Sequence, residues 1–151
     1  MFSSIALPSL LYHSTFRRTS MSSPSLATTM EGHGDIVRSL CYLPQSNLLA
    51  SGSGDKTIKI WDLANNQCIH TLRGHSNTVT ALCYLPQTNQ LASGSKDNTI
   101  KLWNITKNQC IHTLTGHGNT VVALCYLPQS NHLASGSCDH TIKIWDLSTN
   151  Q

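Results

Sequence analysis

Charged and aromatic residues are scarce in this sequence. Charged side chains make up 11% of the 151 residues and aromatic side chains 6%, whereas an average soluble protein is about 25% charged. The chain has a single glutamate, Glu31, which excludes a catalytic pair of glutamates. The formal net charge is only +3, and Arg17 and Arg18 near the beginning supply two of these charges. The remainder is almost neutral, so it lacks the basic surface typical of proteins that bind nucleic acid or anionic membranes.

Long apolar runs and a disulfide pattern are also missing. No apolar run approaches the roughly 20 residues that span a bilayer. Cys41, Cys83 and Cys125 recur every 42 residues, as do Cys68 and Cys110. Cysteines at one position of successive repeats lie in separate units, which argues against disulfides and favours a reducing, cytoplasmic location. The first three lie among apolar neighbours, and we expect them to be small core residues.

The first 30 residues differ from everything that follows. Residues 1–30 contain eight serines, four threonines and no acid. This composition is typical of an organelle transit peptide, which would place the protein in an organelle. It also fits a disordered tail, or an upstream extension if translation begins at Met21 or Met30. The sequence leaves these alternatives open.

The rest of the chain, residues 31–151, repeats itself with a period of 42 residues. Each copy opens with Gly-His and continues with an apolar run that ends in CYLPQ, then LASGSxD and TIKxW. The first two copies close with QCIHTL, and the third stops before it. The repeats are 32–73, 74–115 and a truncated 116–151.

Each repeat predicts four short strands joined by hairpin-length turns. In the first copy these strands cover about 36–43, 48–53, 57–63 and 67–72, and the links between them are rich in Pro, Asn, Gly and Asp. No stretch has a 3.6-residue apolar period long enough to predict a helix. The pattern therefore indicates an all-β fold.

The repeats closely resemble the WD-repeat family of β-propellers. The Gly-His opening, the SGSxD turn and the closing pairs Trp61-Asp62 and Trp145-Asp146 match the family pattern at its usual spacing. The middle copy departs from it with Trp103-Asn104. The resemblance implies an incomplete propeller arc of four-stranded antiparallel blades, with two complete blades and a third that lacks its outer strand.

A serine, a histidine and an aspartate recur in every repeat and suggest a hydrolase triad. One triad per repeat is not what a hydrolase needs, and the G-x-S-x-G nucleophile motif is missing. The resemblance instead implies one structural tetrad per blade, in which Trp hydrogen-bonds to Ser, Ser to His and His to Asp. The implied tetrads are His33, Ser51, Asp55 and Trp61; His75, Ser93, Asp97 and Trp103; and His117, Ser135, Asp139 and Trp145.

Chemically large differences between the repeats cluster in two loops. One follows Gly-His and the other surrounds the turn aspartate, and the resemblance implies that both open on one propeller face, where partner proteins bind. The candidate partner-binding residues are Asp35, Ile36, Arg38, Lys56, Thr78, Thr80, Lys96, Asn98, Thr120, Val122, Cys138 and His140. Arg38 is the strongest candidate because arginine is enriched among interface anchors. The mildly basic set favours an acidic peptide.

These observations predict a non-catalytic scaffold or adaptor that binds a protein or peptide. We expect no metal, no cofactor, no nucleic acid and no membrane partner. One alternative is a truncated piece of a larger WD-repeat protein with no independent activity. Another is the substrate receptor of a ubiquitin ligase or the sensor of a larger signalling assembly. Since closed propellers have about 4–8 blades, the exposed faces of three blades also predict self-association.

Overall fold

The structure, a computed structural model, describes residues 23–148. Within that part of the chain it contains eleven strands and no helix. The first four are β1 (Val37–Leu43), β2 (Leu48–Ser53), β3 (Ile58–Asp62) and β4 (Gln67–Leu72). The next four are β5 (Val79–Leu85), β6 (Gln90–Ser95), β7 (Ile100–Asn104) and β8 (Gln109–Leu114). The last three are β9 (Val121–Leu127), β10 (His132–Ser137) and β11 (Ile142–Asp146).

The strands form three antiparallel sheets in chain order. The first sheet is β1-β2-β3-β4, the second is β5-β6-β7-β8, and the third contains β9, β10 and β11 with β10 in the middle. We call these sheets blades 1, 2 and 3. Two four-stranded blades and one three-stranded blade confirm the all-β fold class and the incomplete propeller arc. Most of the predicted tail, residues 1–22, lies outside the described residues.

Asparagines with a positive φ close the hairpins at one end of each blade. Asn47 follows β1 with φ of +53°, and Asn66 follows β3 with φ of +56°. Asparagine tolerates the left-handed region better than most residues because its short side chain can hydrogen-bond locally. The same conformation recurs at Asn89, Asn108 and Asn131. These tight turns return each strand directly onto its neighbour.

The blades stack by seating a valine of one blade on a glycine of the blade before it. Val79 at the start of β5 packs on Gly52 in β2, where an added Cβ would lie 2.7 Å from the valine Cγ1. Val121 packs on Gly94 in the same way, also at 2.7 Å. One apolar cluster fills the space between blades 1 and 2, and a second fills the space between blades 2 and 3.

Two blade faces remain outside these layers. We define the leading face as the side of blade 1 that carries Val37, Leu40 and Tyr42, all three of which are exposed. We define the trailing face as the side of blade 3 that carries Ile142 and Ile144, which are also exposed. In blade 2, which lies between the other two blades, the side chains at the corresponding positions are mostly buried.

The cysteines only partly follow the expectation of a core position. All six are free thiols, and Cys41 and Cys83 are half-buried beside the two apolar clusters. Burial raises the pKa of Cys83 to about 11, so this thiol stays protonated at neutral pH. Cys125 is exposed, which corrects its assignment to the core. The reason is that no described blade covers the trailing side of β9.

Candidate functional site

Each blade contains a hydrogen-bonded chain from tryptophan to aspartate. In blade 2 the indole N–H of Trp103 donates to Ser93 Oγ at 2.7 Å, and Ser93 Oγ lies 2.7 Å from His75 Nε2. The other ring nitrogen, Nδ1, lies 2.7 Å from Asp97 Oδ2. Blades 1 and 3 contain the same series of hydrogen bonds, with donor–acceptor distances between 2.7 and 2.8 Å. The structure thus brings together all twelve tetrad residues.

The glycine that opens each repeat packs closely against the indole ring of the tetrad tryptophan. Gly74 has φ of +157°, and a Cβ added there would lie 3.2 Å from Cη2 of Trp103. Gly32 and Gly116 have the same conformation and the same close approach. Any larger residue would combine backbone strain with a crowded indole ring. The Gly-His pair is therefore one structural unit.

The turn aspartate binds several donors as well as the histidine. Asp55 accepts the backbone N–H of Gly34 at 2.9 Å, the N–H of Thr57 at 2.9 Å and the Thr57 hydroxyl at 2.7 Å. Burial alone would raise the pKa of Asp55, but these hydrogen bonds and that of His33 outweigh burial and hold the pKa well below 3.8. The carboxylate therefore stays charged and closes the turn between β2 and β3.

The geometry of the tetrad in blade 2 gives its serine a structural role. Ser93 is fully buried, and its oxygen is surrounded by the indole N–H of Trp103, the imidazole of His75 and the carbonyl of Lys101 at 3.5 Å. A nucleophile needs an open position beside it for the substrate. A buried hydroxyl with every direction occupied by protein satisfies polar groups instead.

The two variable loops of each blade lie side by side at one edge. In blade 1 the N–H of Gly54 donates to the carbonyl of Ile36 at 2.9 Å, and the Ser53 hydroxyl donates to the Asp35 carbonyl at 3.0 Å. Lys96 and Thr78 make the first contact in blade 2, and Cys138 and Thr120 make it in blade 3, both at 2.9 Å. We call this edge of the three blades the loop edge.

Most of the candidate partner-binding residues on the loop edge are accessible. The exposed candidates are Asp35, Ile36, Arg38, Lys56, Lys96, Val122, Cys138 and His140. The half-buried candidates are Thr78, Thr80, Asn98 and Thr120. Charged and apolar side chains are thus mixed along one accessible edge.

The structure shows two properties of these candidates that the sequence did not predict: a contact between blades and a left-handed backbone conformation. The single hydroxyl proton of Thr80 is shared between the carbonyl oxygen of Gly94, at 3.1 Å, and that of Val121 in the next blade, so this hydroxyl joins blades 2 and 3. Lys56, Asn98 and His140 adopt φ of 68–70°. The asparagine at this position in the second repeat was the only sequence signal for that conformation.

Metal-binding and membrane-spanning features are not found in the described part of the chain. Among residues 23–148 no group of three or more His, Cys, Asp or Glu side chains is placed to hold a metal ion. The same residues contain no helix long and apolar enough to cross a bilayer.

Parts of the chain are similar to a ribosome biogenesis protein and to U3-55K. A stretch of 38 residues is 53% identical to the ribosome biogenesis protein BOP1 homologs of Drosophila virilis and Drosophila melanogaster. It covers 25% of this chain and 5% of each relative. The solved structure of U3-55K superposes with a TM-score of 0.76 at 26% identity, over 81% of this chain and 39% of the other. The chain therefore spans a small part of the length of these proteins.

A family model matches the repeats themselves. The model described as WD domain, G-beta repeat matches residues 24–62, 66–104 and 108–146. Each match ends at the last residue of the third strand of a blade, the Asp or Asn that follows the tetrad tryptophan. Together the matches cover most of the sequence, and the chain belongs to the WD domain, G-beta repeat family.

Proposed function

We propose that this protein is a non-catalytic scaffold that binds a protein or peptide partner at its loop edge. Repeats of the WD family generally mediate protein–protein interaction, and this chain contains three of them. The curated relatives share about one repeat with it, so the similarity supports the role of the repeat and not a specific pathway. Binding would require no bond to be made or broken.

The observation that carries this proposal is the convergence of the variable positions. The blades have nearly the same sequence, and their chemically large differences cluster in two loops that the fold joins by hydrogen bonds. A further variable site, the turn between the first and second strands of each blade, lies at the opposite end. A rigid sheet that displays variable loops is the usual arrangement of a binding surface. The short connections within each blade keep these loops fixed relative to the strands.

The charge of the loop edge supports an acidic partner. Arg38, Lys56 and Lys96 are exposed there, and Asp35 is the exposed acid beside them. The side chain of Asp35 already accepts the N–H of Ile36 at 2.6 Å, so part of its hydrogen-bonding capacity is used internally. Arginine can hold a carboxylate with two hydrogen bonds, which favours Arg38 as the anchor.

A binding assay with immobilised acidic peptides tests the proposal. The wild-type chain is expected to bind members of such a library, and the double variant Arg38→Ala/Lys96→Ala is expected to lose that binding. Lys107→Ala is the control, because Lys107 is an exposed lysine in the turn between β7 and β8, at the opposite end of blade 2. Unchanged binding by the double variant would contradict the proposal.

We also propose that the exposed blade faces support self-association, because unpaired apolar faces favour contact with other surfaces.

We further propose that the protein functions in the cytoplasm, because its free cysteines fit a reducing compartment. Fluorescence microscopy of the chain fused at its C-terminus to a fluorescent protein tests the location. Diffuse cytoplasmic fluorescence is expected, and fluorescence confined to an organelle would favour the transit-peptide alternative.

A further inference from the structure

The chain builds the same blade-to-blade interface twice. Val79 seats on Gly52 between blades 1 and 2, and Val121 seats on Gly94 between blades 2 and 3. Both valines are fully buried, with 0% exposure. Each interface therefore joins a leading half, which supplies the valine, to a trailing half, which supplies the glycine seat.

The leading face of blade 1 has the residues of a leading half, but no other blade of the described residues covers it. Val37 occupies the position of Val79 and Val121 but is 48% exposed. Leu40 and Tyr42 continue the same side of β1 and are exposed as well. A groove of about 560 Å³ beside them is lined by the apolar side chains of Leu49 and Trp61 and also by polar residues that include His33 and Ser51.

The trailing face of blade 3 is the matching unused half. Gly136 occupies the position of Gly52 and Gly94, but a Cβ added there would meet only Ala123, at 3.7 Å. Gly136 lines a groove of about 220 Å³, as does Ile142. Ile142 is 77% exposed, whereas its counterparts Ile58 and Ile100 are 1% exposed.

We propose that two copies of this chain close one six-bladed ring, with Val37 of each copy seated on Gly136 of the other. This proposal specifies the geometry of the self-association proposed above. It repeats an interface that the chain already makes twice, with the same residue types in the same register. Burial of the exposed valine, leucine and isoleucine side chains on both faces would drive the association.

Residues 24–30 provide the strand that blade 3 needs. The family matches begin at residues 24, 66 and 108, so Pro24 to Met30 correspond to the segments that contain β4 and β8. Residues 24–30 form no strand, and Leu26 is 83% exposed. Among the described residues β11 has β10 as its sole neighbour.

The register of the added strand follows from the two complete blades. Ile58 pairs with Leu72, and Ile100 pairs with Leu114. By the same register Met30 of one copy pairs with Ile142 of the second copy. Glu31 and Gly32 would then lead from blade 3 of one copy to blade 1 of the other, as the corresponding residues lead from blade 1 to blade 2.

For a chain that contributes these three blades, the number of blades favours two copies. Each copy contributes three sheets, and closed propellers have about 4–8 blades. One copy falls below this range and three copies exceed it. A head-to-tail contact that closes after two copies leaves neither blade face exposed.

The mass of the full chain in solution is the first test. Light scattering after size-exclusion chromatography, over about 1–100 μM protein, is expected to give twice the 16.5 kDa of one chain. A mass of 16.5 kDa throughout this range would overturn the proposal, as would a broad distribution of higher masses.

The substitution Gly136→Ala, which adds a single methyl group, tests whether Val37 of one copy packs on Gly136 of the other. Gly136→Ala leaves the fold of one copy intact, because the added Cβ lies at an ordinary distance from Ala123. It would crowd the incoming Val37 as a Cβ at Gly52 would crowd Val79, and the dimer dissociation constant is expected to rise at least about tenfold. Gly118→Ala is the control, because its Cβ would meet only Asp139, at 3.9 Å. An unchanged dissociation constant for Gly136→Ala, with a normal circular dichroism spectrum, would overturn this geometry.

A pair of prolines tests the added strand. Neighbouring residues of a strand point their N–H groups to opposite sides, so Ala27→Pro/Thr28→Pro removes at least one donor to β11. The dimer is expected to weaken at least about tenfold. Ser23→Pro, which places a proline pair just before the strand, is expected to leave the dimer unchanged. Equal dissociation constants for the two variants would overturn the strand addition. Because these tests measure mass and not peptide binding, they can fail while the scaffold proposal stands.

Discussion

At the scale of single residues, the serine at the centre of each tetrad holds two buried polar groups in place, so its loss should lower stability. Ser93→Ala would leave the indole N–H of Trp103 and Nε2 of His75 without their shared partner. An unsatisfied buried polar group costs about 1–3 kcal/mol, so we expect the free energy of unfolding to fall by about 2–4 kcal/mol. Urea unfolding followed by tryptophan fluorescence measures this change.

The matched control for that variant is Ser46→Ala. Ser46 is exposed in the turn between β1 and β2, where the same substitution should change the free energy of unfolding by less than about 0.5 kcal/mol. Equal effects of the two substitutions would contradict the structural role of the tetrad.

The conformation of Lys56 gives a second prediction for a single residue. Lys56 has φ of +70°, and Asn98 has the corresponding φ of +68° in blade 2. A left-handed conformation costs most L-residues about 1–2 kcal/mol, and asparagine less. Lys56→Asn is therefore expected to raise the free energy of unfolding by about 0.5–1 kcal/mol, and the reverse change Asn98→Lys to lower it. Effects of the opposite signs would contradict the assignment.

Acid is expected to destabilise the protein in two stages. Burial lowers the pKa of His75 below 6.5 more than Asp97 raises it, and hydrogen bonds hold the pKa values of Asp55 and Asp97 below 3.8 despite burial. In both cases the unfolded chain takes up protons that the folded chain does not. The stabilisation is therefore complete above pH 6.5 and decreases as the pH falls.

Thermal unfolding across a pH series measures this dependence. The midpoint temperature is expected to stay constant near about pH 7–8, to begin falling below about 6.5 and to fall further below about 3.8. A midpoint that rises between about pH 7 and 5 would contradict the direction of the His75 shift.

At the scale of the strands, the sequence predicted the elements but not their contacts. Proline and asparagine turns divide each repeat into four segments, and the predicted second and fourth strands, 48–53 and 67–72, have the observed bounds. The first and third strands each begin one residue later than predicted, and the third also ends one residue earlier, at Asp62. Ile36 and Thr57 instead use their carbonyls to accept bonds from Gly54 and Ser53 across the loop edge.

Contacts between blades required the three-dimensional structure. The bond from Thr80 to Val121 joins residues 41 positions apart, and nothing in the local sequence marks the threonine as a link between blades. The glycine of LASGSxD was similarly ambiguous. A strand glycine indicates a close approach of some group, but the partner valine becomes evident only when the blades are stacked.

The valine seat inside the molecule predicts a stability effect for one strand. Gly94→Ala would place a Cβ 2.7 Å from Cγ1 of Val121, which forces blades 2 and 3 apart. Overpacking of this kind costs about 1–3 kcal/mol, and we expect a loss of that size in urea unfolding. Gly118→Ala, whose Cβ has room, should change stability far less. A Gly94→Ala variant as stable as the wild type would contradict the packing.

At the scale of the whole molecule, the three blades form one continuous arc with a single loop edge. Internal interfaces of valine on glycine keep the blades in register, and the tetrads tie the turns of each blade to its strands. The two variable loops that follow Gly-His and surround the turn aspartate therefore lie on the same side of the arc in all three blades. The repeated sequence builds the scaffold, and the few residues that differ between repeats give the loop edge its chemistry.

The most direct test of this account is to map the residues that bind an acidic peptide. Amide chemical shifts of the labelled chain, recorded by nuclear magnetic resonance during titration with a peptide selected from the acidic library, report the contact surface. The account predicts that the largest shifts occur on the loop edge, at Arg38, Lys96 and His140. Shifts concentrated in the turns at the opposite end of the blades, at residues such as Gln45 and Lys107, would contradict it.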